Sequence, residues 1–304
     1  MVKLFTHTDL DGVGCAILAH LAFNFEIDVE YCDYDNINEK VMNYLNTNDG
    51  SSYIYITDIS VNKEVAELLD KRGGVHLLDH HPTALGLNKY SWCKVMIEDL
   101  SGVKTSGTKM FYHWLCINGC FVDELENNQA LNRFAELVRN YDTWRWSTLG
   151  DKGLICKQVN DLLYLYGRER FIRWCLSEIH DEVFPRLYAA DELVLKLKQQ
   201  EIDEYIKEKD EQLFTSPMCG MNCGFVFAER YFSELGNRLC ELHPEIDFVA
   251  MIDMSGTVSY RTVKDNVDLG EDVAKLFGGG GHPKAAGSQF SQDVIMKTIE
   301  SIFR

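Results

Sequence analysis

Val2-Lys-Leu-Phe-Thr-His7-Thr-Asp9-Leu-Asp11-Gly12-Val-Gly-Cys15 runs from a short apolar segment through a polar turn into a second apolar segment. Val2 to Phe5 reads as a strand, and Val13 to Phe23 has the apolar spacing of a helix. In extended chain, residues two apart point to one side, so His7, Asp9 and Asp11 can converge on a single cavity. Gly12 lets the backbone turn sharply into the helix. The plain alternative is a polar turn with a helix-capping aspartate. A helix–loop–helix calcium loop does not fit, because it wants a carboxylate where His7 stands and a glutamate where Leu18 stands.

The same alternation continues outward. Val29 to Cys32 reads as a strand, Asn38 to Leu45 as a helix, Tyr53 to Thr57 (Tyr-Ile-Tyr-Ile-Thr) as a strand, Lys63 to Lys71 as a helix, and Val75 to Leu78 as an apolar strand. Strand–helix alternation at this spacing predicts a mostly parallel sheet with helices on both faces. Lys104 to Ile179 is helical in pattern, and Glu182 to Phe214 reads as one long charge-laced helix. Beyond it a smaller α/β domain is expected: strand Gly224 to Ala228, helix Tyr231 to Leu242, strands Phe248 to Met254 and Thr257 to Val263, helix Val273 to Phe277, a glycine run, and a last strand and helix. The expected division is a catalytic domain over 1–180, a helical linker over 181–215 and a substrate-binding domain over 216–304, with the active site in the cleft between domains.

Two more strand ends carry chemistry. The Tyr53–Thr57 strand ends in Asp58-Ile-Ser60, and the next in Asp79-His80-His81-Pro82. In open parallel sheets the ligand crevice lies beyond the carboxyl ends of the strands. Three acidic or imidazole-bearing ends at one edge therefore point to a metal centre. Asn140-Tyr-Asp142-Thr-Trp144 is a further contributor, although spacing alone reads it as a helix-ending turn. Mixed carboxylate and imidazole ligands suit manganese, with cobalt, iron, zinc or magnesium as alternatives. Two such ions, about 3.5–4 Å apart, stabilise the attacking and leaving oxygens of a phosphoryl displacement, and a water bridging them is deprotonated near neutral pH.

Toward the C-terminus, Gly278-Gly279-Gly280-Gly281-His282-Pro-Lys284 offers backbone N–H groups and side-chain donors that can wrap an anion, or forms a flexible turn. It is not a nucleotide P-loop, because Gly281 precedes His282 rather than Lys and Ser or Thr. Arg261 lies in a strand pattern and could pair with a phosphate or be an ordinary edge charge.

Over its 304 residues the chain carries a formal charge of −17, which argues against broad duplex binding through a basic surface. Four carboxylates on two divalent cations would be neutral locally, so an anionic substrate in a small site is not excluded. The ten cysteines are scattered, and Cys219 and Cys223 lack the further ligands of a zinc site. The first residues form no signal peptide, and no apolar run reaches the roughly 18 residues of a membrane span. A cytoplasmic protein with reduced thiols is the expectation.

These motifs together resemble the DHH phosphoesterases, named for the triplet at Asp79-His80-His81, with the DHH-associated domain at the C-terminal end. His-Thr-Asp-Leu-Asp-Gly-Val-Gly-Cys at the start, Tyr141-Asp142-Thr143-Trp144 and Tyr231-Phe-Ser-Glu-Leu-Gly-Asn-Arg238 resemble the B-type oligoribonuclease (nanoRNase) branch. The resemblance implies that His7 and Asp9 hold one metal, that Asp11, His80 and Asp142 hold the other, and that Asp58 bridges them. It further implies that His81 faces the scissile phosphate and Asp79 orients a ligand. Arg261, Gly279, Gly280, Gly281, His282 and Ser106 would touch substrate.

The implied activity is manganese-dependent cleavage of two- to five-residue RNAs from the 3′ end to 5′-mononucleotides. Alternatives are a 3′-phosphoadenosine 5′-phosphate phosphatase, a linear or cyclic dinucleotide phosphodiesterase, and a nucleotide-binding protein without catalysis. Short RNA or small nucleotides are the expected partners, with no membrane, no long duplex, and a homodimer left open.

Overall fold

The computed structural model describes residues 2–48, 52–122, 125 and 127–303. The chain divides into two compact units, Met1–Leu195 and Lys196–Arg304, with the division inside the long helix.

The first unit is built on five strands: β1 (Val2–His7), β2 (Ile27–Cys32), β3 (Tyr53–Thr57), β4 (Val75–Asp79) and β5 (Cys93–Val95). Their order is β2-β1-β3-β4-β5, and every pairing is parallel. Alternating side chains explain why the sheet is covered twice. Leu4, Tyr55 and Leu78 pack on one face, while Phe5, Ile54, Ile56 and Leu77 pack on the other. Burying each of these large apolar side chains contributes about 1.5–3 kcal/mol.

Helix α1 (Leu10–Ala22) lies on the first face, whereas α2 (Ile37–Thr47) and α3 (Lys63–Arg72) cover the second. The chain therefore leaves β1 toward β2 on one side and returns to β3 on the other. The switch point falls between the carboxyl ends of β1 and β3, where such sheets open a crevice. Helices α4 (Gly107–Ile117), α5 (Gln129–Asp142), α6 (Asp151–Tyr166) and α7 (Arg168–His180) complete the first face. They wall in α1 so fully that Leu10 to Ala19 is buried on all sides.

Helix α8 (Ala189–Glu211) carries the chain into the second unit. There, β6 (Phe214–Met218), β7 (Met221–Phe227), β8 (Phe248–Asp253), β9 (Thr257–Arg261), β10 (Gly280–His282) and β11 (Ala285–Gln289) form a mixed sheet in the order β10-β11-β9-β8-β7-β6. Ile202, Tyr205 and Ile206 of α8 join Leu235 and Leu239 of α9 (Phe232–Leu242) against Val226, Val249 and Met251 on one face. Phe248, Ala250, Tyr260 and Ala286 pack with Leu269, Val273 and Ala274 on the other. Helix α10 (Gln292–Ile302) ends the unit.

Three expectations are corrected. The long helix spans Ala189–Glu211 rather than Glu182 to Phe214, because Pro185 sits in the approach and Phe214 enters β6. The helix expected at Val273 to Phe277 is a π turn over Leu269–Val273 followed by a 3-10 turn over Ala274–Phe277. Strands β5 and β6 were not foreseen. Pro217 is tolerated in β6 because that strand is the sheet edge.

Candidate metal centre

The strand ends deliver their acids and imidazoles to one place. At the end of β1, Asp9 caps α1: its Oδ1 accepts from the N–H groups of Asp11 (3.1 Å) and Gly12 (3.0 Å). The other oxygen, Oδ2, lies 3.0 Å from His7 Nδ1. The cap and the cluster are therefore served by different oxygens of one carboxylate.

Asp11, in the first turn of α1, is fully buried and held by the start of α4. Its Oδ2 accepts from Gly107 N at 2.6 Å and its Oδ1 from Thr108 N at 2.9 Å. Those amides stabilise the anion, as the N-terminus of a helix does.

Asp58 follows β3 in the left-handed region, at φ 58°. For a non-glycine residue this conformation costs about 1–3 kcal/mol and tends to occur at functional sites. It turns the carboxylate into the cluster, with Oδ1 3.1 Å from His80 Nε2 and Oδ2 3.8 Å from His7 Nδ1. The start of α4 presses against this residue so closely that a Cβ on Gly107 would stand 2.5 Å from Asp58 Cβ.

Asp79, at the end of β4, organises the residues after it. Its Oδ1 accepts from His80 N (2.8 Å), His81 N (3.3 Å) and His81 Nδ1 (2.7 Å), and its Oδ2 accepts from the hydroxyl of Ser60. His80 Nε2 is thereby aimed at Asp58, at Asp142 Oδ2 (3.5 Å) and at Asp11 Oδ2 (3.7 Å). Asp142, the last residue of α5, thus joins the cluster, although its spacing read as a helix-ending turn.

The electrostatics show what the cluster lacks. Burial, followed by the charges of Asp11 and Asp9, pushes the Asp58 and Asp142 carboxyls well above the ordinary carboxylate range. Burial also draws His80 down. Burial works against Asp9 and Asp79 as ions, yet the His7 ring outweighs it at Asp9 and the His81 ring at Asp79, and both stay low. Among the described residues no Lys or Arg lies within ion-pair distance of Asp9, Asp11, Asp58 or Asp142.

Asp58 Oδ2 is buried without a hydrogen-bond partner among the described residues. His7, Asp9 and Asp58 form one group of mutually close donor atoms, and Asp11, His80 and Asp142 form another. A part-buried set of oxygen and imidazole donors without a cation, including an orphaned atom, fits divalent transition metals.

The remaining candidates sit elsewhere. Ser106 has a task other than the expected substrate contact: it is completely buried, and its hydroxyl accepts from Lys109 N at 3.2 Å as the cap of α4. Arg261, in β9, donates to Tyr260 O (2.8 Å) and Ser233 Oγ (3.1 Å) and makes no ion pair among the described residues. Ala285 opposes both His282 and Arg261 across its two neighbouring strands, so the three share one cross-strand row. Gly281, at φ 144°, serves the packing of β10, because a Cβ there would lie 2.5 Å from Ala286 Cα. A Cβ on Gly280 would meet nothing.

Sequence reasoning missed two residues. Ser60 was quoted within its strand end but given no role. Tyr34, whose hydroxyl reaches His81 Nε2 at 3.0 Å, lies in a loop with no motif to flag it.

Fold and cluster together define a class, the metal-dependent α/β phosphoesterases. No protein-family profile matches the chain. It is 37% identical over 314 aligned residues to "Oligoribonuclease NrnB" of Bacillus subtilis (strain 168), covering 100% of this chain and 76% of that protein. The chain belongs to the DHH phosphoesterase family, in its oligoribonuclease branch.

Solved structures share the fold. The pGpG-specific phosphodiesterase PggH of Vibrio cholerae superposes with a TM-score of 0.54 at 13% identity, covering 99% of this chain and 97% of that one. Exonuclease RecJ bound to manganese superposes with a TM-score of 0.56 at 16% identity, covering 97% and 87%.

Proposed function

We propose that this protein is a manganese-dependent phosphodiesterase that shortens two- to five-residue RNAs from the 3′ end, releasing 5′-mononucleotides. The observation that carries the reading is the part-buried pair of donor groups, His7/Asp9/Asp58 and Asp11/His80/Asp142, with Asp58 offering one oxygen to each side. It occurs in a chain related over its whole length to an oligoribonuclease.

In this reading His7, Asp9 and Asp58 hold one cation, and Asp11, His80, Asp142 and Asp58 hold a second. Cations bound there supply Lewis-acid stabilisation of phosphoryl oxygens and lower the pKa of water. Asp79 fixes the orientation of His80 through its backbone amide and holds the His81 ring by Nδ1. His81 thereby keeps a fixed ring plane for contact with the scissile phosphate. Arg261 and the Gly279 to His282 segment contact substrate, Arg261 as a cation that makes no ion pair among the described residues.

No helix of the described residues is long and apolar enough to cross a membrane. All ten cysteines are free, which suits a cytoplasmic setting.

The test is incubation with manganese and end-labelled RNA and DNA of two, three, five and twenty-four residues. Mononucleotides should accumulate from the short RNAs, with labels reporting 3′ to 5′ polarity. Equal degradation of the 24-residue strand, or no manganese-dependent cleavage, overturns the proposal. Cleavage confined to dinucleotides replaces it with a dinucleotide phosphodiesterase.

A further inference from the structure

Beside the metal-ligand cluster, within the first unit, lies a cavity of about 460 Å³, in the size range of small-ligand sites. One wall is a continuous hydrogen-bonded chain running from Ser60 through Asp79 and His81 to Tyr34. The floor is apolar, made by Val61, Ala84 and Leu87. At the rim stand Lys63, in the first turn of α3, and Lys89. Both ammonium groups are lightly committed: Lys63 has one long, exposed pairing with Glu67 at 3.8 Å, and Lys89 lies 4.8 Å over the Tyr90 ring.

An apolar floor, a polar wall and a cationic rim match a flat heterocycle carrying sugar hydroxyls and a phosphate. Tyr34 connects this cavity to the cluster. Its ring packs beside His7 and His81, at centroid distances of 5.1 and 5.9 Å. In the neutral His81 ring the Asp79 carboxylate accepts from Nδ1, so Nε2 accepts from the Tyr34 hydroxyl.

We propose that this cavity is a nucleotide subsite that receives the nucleoside on one side of the scissile phosphate, with Tyr34 as the positioning residue that couples its occupant to His81. This deepens the functional reading above and rests on it for the identity of the substrate.

Gly86 gives the means of testing it. Gly86 lines the cavity, its backbone is ordinary, and a Cβ added there meets nothing within 4 Å. Gly86→Phe therefore adds bulk at the cavity wall with no clash at its Cβ.

The experiment is calorimetric titration of the manganese-loaded full chain with 5′-AMP and, separately, with inorganic phosphate. It compares wild type, G86F, K89E and Y34F, with melting curves and bound manganese measured for each. G86F should weaken 5′-AMP binding about tenfold or more, while inorganic phosphate binding and manganese content stay as in wild type. K89E, at an exposed position, should weaken 5′-AMP several-fold and guards against a folding failure of G86F.

Y34F keeps the ring and loses the contact with His81. Its kcat on a diribonucleotide should fall while KM stays near the wild-type value, whereas G86F should mainly raise KM. Wild-type 5′-AMP affinity in both G86F and K89E, within about twofold, overturns the subsite. An unchanged kcat in Y34F overturns its positioning role. Because 5′-AMP binding is read without turnover, a chain that binds it in a Gly86-dependent way yet cleaves no RNA would refute the proposed activity and leave the subsite standing.

Discussion

The two sheets manage their charges in opposite ways. In the second unit, acids and bases are matched at the surface: Lys264 with Asp247, Lys284 with Asp265, Lys275 with Glu271 and Arg238 with Glu241. The one arginine set into its sheet, Arg261, makes no ion pair among the described residues. In the first unit, four aspartates are gathered near the carboxyl ends of the strands with imidazoles and backbone amides, and no Lys or Arg in ion-pair distance among the described residues. One region lacks nearby Lys or Arg and the other holds an arginine without an ion pair, among the described residues. Such imbalance is costly in a resting protein, because buried charges want partners. The proposed function accounts for it, with metal supplying charge to one region and phosphate to the other.

The comparison can be broken most sharply at Asp58. Asp58→Ala should abolish manganese-dependent hydrolysis, lower the manganese content and leave a folded chain. Near-normal turnover would show that the shared carboxylate is dispensable. On the cationic side, Arg261→Ala should raise KM by about tenfold or more with a smaller loss in kcat, as expected when a hydrogen bond to a charged group, about 1.5–3 kcal/mol, is removed. Unchanged steady-state constants would make Arg261 structural.

Gly107→Ala tests how tightly the anionic region is assembled. Its Cβ would lie 2.5 Å from Asp58 Cβ, and relieving such overpacking costs about 1–3 kcal/mol. Both the denaturation midpoint and the manganese affinity should fall, and an unshifted midpoint would show that α4 can retreat freely.

The smallest effect belongs to a matched pair in the second unit, His243 Nε2 to Asp210 Oδ1 at 2.6 Å. The hydrogen bond with Asp210 raises the His243 pKa, so its stabilisation is complete below the unfolded histidine pKa of about 6.5 and fades as pH rises through the higher folded value. His243→Gln should thus cost less than about 1 kcal/mol at pH 5.5 and less still at pH 8.5 in denaturant titrations. A cost that grows with pH would contradict the assignment.

Much of the centre was legible in the sequence because parallel strands carry their chemistry at the carboxyl end, one or two residues past the last apolar position. The run Tyr-Ile-Tyr-Ile-Thr ahead of Asp58 and the run ending at Asp79 show this plainly. Asp142 was assigned to the cluster by family likeness rather than by spacing, since the end of a helix and a cluster member look the same in one dimension.

Tyr34 was invisible for a related reason: its partner, His81, is distant in the chain and the loop between β2 and α2 has no periodicity. β5 is only three residues long, too short for an alternating pattern to register. β6 was hidden by a helix that ends immediately before it and by Pro217. Ser106 shows a different gap: its hydroxyl caps α4, a role the sequence reading did not assign.

One detail bears on how this protein can drift over generations. The two groups that grip Asp11 are main-chain amides, those of Gly107 and Thr108, and almost no point substitution can delete a peptide N–H. Only proline removes one outright. Selection on the grip of this carboxylate therefore acts on bulk at 107. A saturation library should reject every side chain there, whereas 108 should keep a hydroxyl, because Thr108 Oγ1 donates to Asp11 O at 2.6 Å.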